Sequence, residues 1–256
     1  MRFVTPIGGK VERRPPFAMP AIPASLQALL ANLIDYAGLY PPAALPLHDV
    51  AEKYAAYRAS PYGWMLNRLV LPAAKFPEMP LRDGWETLET KLAHSLSLPT
   101  YCEAPLDRVT GAFAKVRTGG LAPDAVPAPA AIANFLRRAA HRRLPFKATA
   151  GLHHPLRSLR PLTDAAGSPR AVMHGFVNVF AAAAFACHDT GRDLLLALLT
   201  EEDPRAFEFA EDALHWRGRR LSTAQIQTAR RDFAHSFGSC SFEEPAADLR
   251  TLGYLP

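Results

Sequence analysis

A chain of 256 residues with 49% hydrophobic and 21% charged side chains is long enough to bury a full core as one domain. Its net charge of +5 is modest, and the basic residues are dispersed without a lysine run or interleaved aromatics, which argues against nucleic acid as a partner. Cys102, Cys187 and Cys240 are far apart and form neither a disulfide framework nor a paired-cysteine zinc motif, a usage that fits a reducing cytoplasm.

Residues 1–24 carry Pro6, Pro15, Pro16, Pro20 and Pro23 and read as an extended N-terminal arm. Proline, glycine and charges interrupt this arm before any apolar stretch of signal-peptide length. The expected body is a single domain over residues 25–256. It opens with a short helix at Ser25, followed by a first strand over residues 33–37, which ends at Gly38 and the Pro41-Pro42 breaker and carries Asp35. Residues 47–59 predict a helix burying Val50, Ala51, Tyr54 and Tyr57, and residues 67–72 a strand stopped by proline. Trp85, Leu88, Leu92 and Leu96 stand at spacings of three and four, so residues 84–96 are expected to be helical; residues 99–103, ending in Glu103, read as a strand.

The centre of the chain holds two matched phrases, in which Lys115 is followed by Gly119 and Lys147 by Gly151. Each sits on a short apolar run, and residues 127–143 between them place Ile132, Phe135, Leu136 and Ala139 on one helical face. The unit is therefore β-α-β, of the usual length of roughly 30 residues. Period-two alternation puts Lys115 and Arg117 on one face of the strand over 112–117, and Lys147 and Thr149 on one face of the strand over 145–149. In a barrel the helix-facing side is apolar, so these cations are expected to point into the lumen near the strands' C-terminal ends, where barrel enzymes hold substrate. A network of Lys115, Arg117, Lys147, Asp35 and Glu103 would compensate the charges.

A long loop over residues 152–170 carries His153, His154, Arg157 and Arg160, and residues 171–187 predict a buried helix with His174 and Asn178 on one face near its start. The polar residues in this segment argue against a membrane span. Residues 207–216 read as a short strand or hairpin, with a helix over 203–214 as the competing reading. Ser222 and Gln225 form a capping box opening a helix to Phe237 that Gly238 stops, and residues 239–245, with Cys240, form a loop before a last helix ending near Leu252. Strands at 33–37, 68–72, 99–103, 112–117, 145–149 and 207–216 alternate with helices. The expected fold class is α/β, a TIM-barrel-like (β/α) barrel that is incomplete, since a full barrel needs eight strands.

The two lysine phrases resemble class I aldolases of the deoxyribose-phosphate aldolase type. That resemblance implies that Lys115, with Thr118 and Gly119, stands at the Schiff-base lysine, and Lys147, with Thr149 and Gly151, at the second lysine that lowers its pKa. Arg117 stands where that family has a hydroxyl. Residues 147–155, 174–178 and 237–245 also resemble an uncharacterised bacterial protein family, a resemblance that implies no function.

The expected function is an enzyme acting on a small anionic or carbonyl-containing metabolite, a Schiff-base lyase without a cofactor. Lys115, Lys147, Glu103 and Asp35 are its expected catalytic groups, and Arg117, Thr118, Thr149, His153, His154, His174, Asn178 and Cys240 its expected substrate-binding groups. Two alternatives stand beside it. One is a metal-dependent hydrolase or lyase whose zinc is held by one of the tandem histidines, His174 and Glu103 or Cys240; the other is a non-catalytic binding or scaffold protein on a truncated barrel. No glycine-rich nucleotide motif or P-loop supports a nucleotide cofactor.

Overall fold

The computed structural model of the chain describes residues 22–72, 113–163, 165–188 and 190–256, with Lys75, Glu78 and the backbone of residues 87–90. The elements run α1 (Ala24–Leu30), β1 (Ile34–Tyr36), α2 (Leu47–Ala59), β2 (Leu66–Pro72), β3 (Thr87–Thr90), β4 (Ala114–Arg117), α3 (Pro129–His141) and β5 (Phe146–Thr149). They continue with β6 (Ser158–Pro161), β7 (Arg170–Met173), α4 (Phe176–Ala186), α5 (Arg192–Thr200), β8 (Phe207–Phe209), β9 (Ala213–Trp216), β10 (Arg219–Ser222), α6 (Thr223–Asp232), β11 (Ala234–Ser239) and α7 (Glu243–Thr251).

Six strands form the main sheet in the order β3-β2-β1-β11-β5-β4, and every neighbouring pair is parallel. The fold is α/β with a parallel sheet flanked by helices. Among the described residues the sheet is not closed, and β3 and β4 are its edges. β8, β9 and β10 make a separate antiparallel sheet, and β6 and β7 an antiparallel hairpin.

Side-chain alternation sorts the main sheet into two faces. Ile34, Tyr36, Ala114, Val116, Phe146, Ala148 and Phe237 are buried against the helices. Phe146 packs on Phe135 of α3 and Phe180 of α4, and Phe237 on Phe176 and Phe180. Every residue of α4 is buried, which is why that segment has no polar face in the sequence. Asp35, Lys115, Arg117, Lys147, Thr149 and Ser236 project from the other face. Two irregularities adjust this alternation: Asp35 of β1 lies opposite both Asn67 and Arg68 of β2, and His235 is an extra residue between the pairs Ala234 with Phe146 and Ser236 with Lys147.

The helices over 47–59 and 127–143 form as expected, the second over Pro129–His141, and each buries its expected face. Other segments differ. Residues 84–96, expected to be helical, contain β3, paired to β2 from Leu69 with Thr87 to Pro72 with Thr90; β-branched Thr87 and Thr90 favour the extended pairing over the helical spacing. The helix expected over 222–237 does open at the Ser222–Gln225 capping box, yet it stops at Asp232, and Phe237 belongs to β11 at the middle of the sheet. The helix expected over 171–187 begins only at Phe176, because residues 170–173 pair as β7. Gly175 makes that change of direction possible: a Cβ there would lie 2.4 Å from both the Leu156 Cα and the Pro155 carbonyl oxygen. The loop expected over 152–170 is correspondingly ordered by β6. Residues 207–216 are a hairpin, but it lies outside the parallel sheet. The strand expected over 99–103 and most of the N-terminal arm lie outside the described residues.

Arg230, near the end of α6, stitches the starts of the two central strands together. Its guanidinium donates to the carbonyls of Ala31 and Asn32 before β1, at 3.0 and 3.3 Å, and to those of Ala234 and His235 in β11. Its face lies over the Phe180 ring, 5.2 Å from the centroid. Burial pushes its pKa down to about 9, opposed by the Asp35 charge, so the group remains a cation at neutral pH. Arg230→Met leaves these carbonyls without their donor and is expected to lower stability by about 3 kcal/mol, read as a shift of the urea unfolding midpoint at unchanged slope.

Candidate functional site

One polar layer crosses the face of the sheet opposite the apolar one. Register puts Lys115 of β4 opposite Lys147 of β5, and Lys147 opposite Ser236 of β11; Asp35 of β1, whose own register partner is Gly238, and Asn67 of β2 join this row through side-chain hydrogen bonds. Asp35 is 1% exposed, and a carboxylate so buried must be compensated. Lys147 Nζ donates to its Oδ2 at 2.5 Å and Ser236 Oγ to the same oxygen at 2.7 Å. Asn67 Nδ2 donates to Oδ1 at 2.7 Å and the Arg68 backbone N–H at 3.3 Å. Two donors from consecutive residues of β2 reach one oxygen because the strand bulges there.

The lysines are neighbours in different circumstances. Lys147 is paired to Asp35; among the described residues Lys115 has no carboxylate partner. Burial is the first cause that holds the Lys115 amine below its ordinary pKa, followed by the charges of Lys147 and Arg117. Arg117, at the end of β4, donates from Nε to the Gly119 carbonyl at 3.1 Å.

The matched Lys-x-x-x-Gly spacing has a packing cause. Gly119 and Gly151 follow adjacent strands and abut: a Cβ on Gly119 would lie 2.8 Å from the Gly151 Cα, and Gly151 itself has φ of +79°. Thr118, fully buried, joins the same two strand ends through a 2.5 Å bond from Oγ1 to the Ala150 carbonyl, so its hydroxyl is occupied by architecture. Thr149 stands half-buried on the lysine face opposite Arg117.

The histidines have other partners. His153 Nδ1 is 3.0 Å from Glu244 Oε2, and His154 Nδ1 is 2.7 Å from Asp248 Oδ2, so both tie the segment after β5 to α7. The His153 contact is the first cause holding the Glu244 carboxyl below its ordinary range. His174 is 1% exposed and donates from Nε2 to the Pro127 carbonyl at 2.7 Å, with burial lowering its pKa. Asn178, fully buried, accepts from the Arg157 N–H at 2.9 Å and donates to the Leu198 and Glu201 carbonyls at 2.7 and 2.9 Å. His174 and Asn178 thus join the start of α4 to its surroundings. No group of three His, Cys, Asp or Glu side chains is arranged to hold a metal ion among the described residues. Cys240 is half-buried just after β11, and Glu103 lies outside the described residues. Also among them, no helix is long and apolar enough to cross a membrane.

Ser236 and Asn67 were absent from the sequence-derived network. Ser236 fell within an expected helix, and the bulge in β2 displaces Asn67 from simple alternation. Comparison with protein-family models, curated proteins and solved structures found no match to this chain.

The unequal pairing predicts unequal stability effects. Lys147→Met leaves buried Asp35 with neutral donors and is expected to lose about 3 kcal/mol at pH 7. Lys115→Met removes a half-buried charge and is expected to fall within about 0.5 kcal/mol of the parent or above it. Urea titrations of both variants check this; a comparable loss in both would mark Lys115 as a member of a structural ion-pair network.

Proposed function

We propose that the chain is a lysine-dependent lyase of the class I aldolase kind, with Lys115 as the imine-forming nucleophile acting on a small carbonyl metabolite. The observation that carries this reading is the asymmetry of the pair: Lys147 is bound to Asp35, while Lys115 is half-buried beside two cations and held below its ordinary pKa. A lysine amine is a nucleophile only when neutral, and desolvation with neighbouring positive charge favours that form. The Lys115 amine adds to the carbonyl carbon. The Lys147 ammonium, oriented by Asp35, protonates the carbinolamine hydroxyl, which leaves as water. The neutral Lys147 amine takes the proton of the substrate's β-hydroxyl as the carbon–carbon bond breaks; the bond's electron pair passes to the iminium to give an enamine, and the hydroxyl carbon departs as an aldehyde. The Lys147 ammonium protonates the enamine carbon, and water hydrolyses the iminium to the second carbonyl product, its released proton returning Lys147 to the ammonium form and leaving Lys115 free.

The strand order supports reading the sheet as an arc of a (β/α) barrel. Each strand pairs with its sequence neighbour from β1 to β3, and β4 with β5, while β11, the last strand of the sheet, returns to pair with β1. A ring produces that order directly, whereas an open sheet would carry the connection from β3 to β4 across its whole width. The polar face would then be the lumen. A soluble cytoplasmic enzyme agrees with the cysteine usage.

Borohydride reduction in the presence of a small ketone or aldehyde is expected to add the reduced adduct mass at Lys115 near neutral pH. No adduct across a panel of small carbonyl compounds would sink the reading. Lys147→Leu removes a cation and frees the Asp35 charge, and both raise the Lys115 pKa toward about 10.4, so half-maximal labelling should move to higher pH. Asp35→Asn strips the negative charge and should move it to lower pH. Peptide mapping by mass spectrometry across a pH series reads both directions.

A further inference from the structure

We infer that the substrate of this site is an oxo acid whose carboxylate is held by Arg117 and Thr149, one layer above the lysines; the inference rests on the imine reading of Lys115. β4 ends on Arg117, two residues beyond Lys115 and hence on the same face, about 7 Å farther along the strand. Register sets Thr149 of β5 opposite Arg117, and Gly238 of β11 opposite Thr149. The layer is therefore a guanidinium, a hydroxyl and a position without a side chain, and β1 continues it with Asp35, whose carboxylate turns away to Lys147, Ser236 and Asn67. Among the described residues, a Cβ built on Gly238 would meet only Thr149 Oγ1, at 3.8 Å, an ordinary contact distance.

Arg117 is anchored without being neutralised. Its Nε holds the Gly119 carbonyl, which fixes the plane of the guanidinium and leaves the terminal nitrogens to a ligand. Among the described residues no carboxylate pairs with it, and the buried acid of this face, Asp35, is bound by Lys147. Lys115, Lys147 and Arg117 against Asp35 leave these two layers with an excess of positive charge when all are ionised. A planar fork of N–H donors matches a carboxylate with two parallel bonds. The interval of one layer between the amine and the guanidinium suits an acid group on the carbon next to the carbonyl or one farther on. A phosphate at the far end of a sugar chain would lie beyond it.

The test compares pyruvate, acetone and dihydroxyacetone phosphate as partners in borohydride trapping at Lys115. Half-maximal labelling is expected at a pyruvate concentration at least about tenfold below that for acetone. Arg117→Gln, whose amide can still donate to the Gly119 carbonyl, is expected to remove that preference while acetone continues to label. Equal labelling by pyruvate and acetone, a preference for the phosphate compound, or a pyruvate preference that survives Arg117→Gln would each overturn the inference. A calorimetric titration of pyruvate into Lys115→Met separates the two levels of the reading. Binding there that is lost on adding Arg117→Gln supports the acid subsite even if no carbonyl compound labels Lys115, and only the imine reading then falls. Absence of pyruvate binding to both the parent and Lys115→Met overturns the subsite.

Discussion

A carboxylate sealed inside a protein must find as many donors as water would give it, and Asp35 sets that condition for the whole sheet. Its donors come from β2, β5 and β11, so the compensation of one charge fixes the relative positions of four strands when β1 is included. Parallel pairing sets Lys115, Lys147 and Ser236 in a row on the polar face, and bulges beside Ser236 and Asn67 accompany the reach of that row to Asp35, which lies in register with Gly238. Arg230 performs the complementary task at the strand starts, where carbonyls before β1 and within β11 need donors. Anion and cation thus clamp the same central strand pair at different heights.

The two lysines show how identical residues in matched phrases come to differ. Lys147 faces β11 and reaches the acid beyond it; Lys115, one strand farther out, does not. The resemblance to aldolases assigns Lys147 the task of lowering its neighbour's pKa. The geometry makes burial the larger cause and gives Lys147 a charge already balanced by Asp35. The glycines that complete the matched phrases have a separate reason for being there, since their backbones pack against each other above the lysine row.

Much of this was legible where local and tertiary preferences agree. The unit from Phe113 to Pro155, the helix over 47–59 and the capping box at Ser222 carry strong periodicity or specific cap chemistry, and Asp35 stands on its strand as expected. β11 was hidden because Ile226, Ala229, Phe233 and Phe237 continue a helical spacing, and nothing local reveals that Arg230 folds forward to claim carbonyls of the next strand. His174 and Asn178 look like chemistry because polar residues in an apolar helix stand out. The structure uses them to satisfy backbone groups at the crowded junctions around α4. His153 and His154 face carboxylates contributed by α7, some ninety residues later in the chain, a pairing that no local pattern encodes.

The extra residue at His235 governs which chemical group meets the buried acid. Without it, an imidazole would occupy the place opposite Lys147 that Ser236 holds. A hydroxyl does not change its charge between acid and alkaline conditions, whereas an imidazole gains or loses a proton near neutrality. The bulge instead turns His235 against the edge of Phe113. The buried carboxylate thereby takes its β11 hydrogen bond from a group whose charge is the same on both sides of neutrality, and the imidazole acts on it only through space.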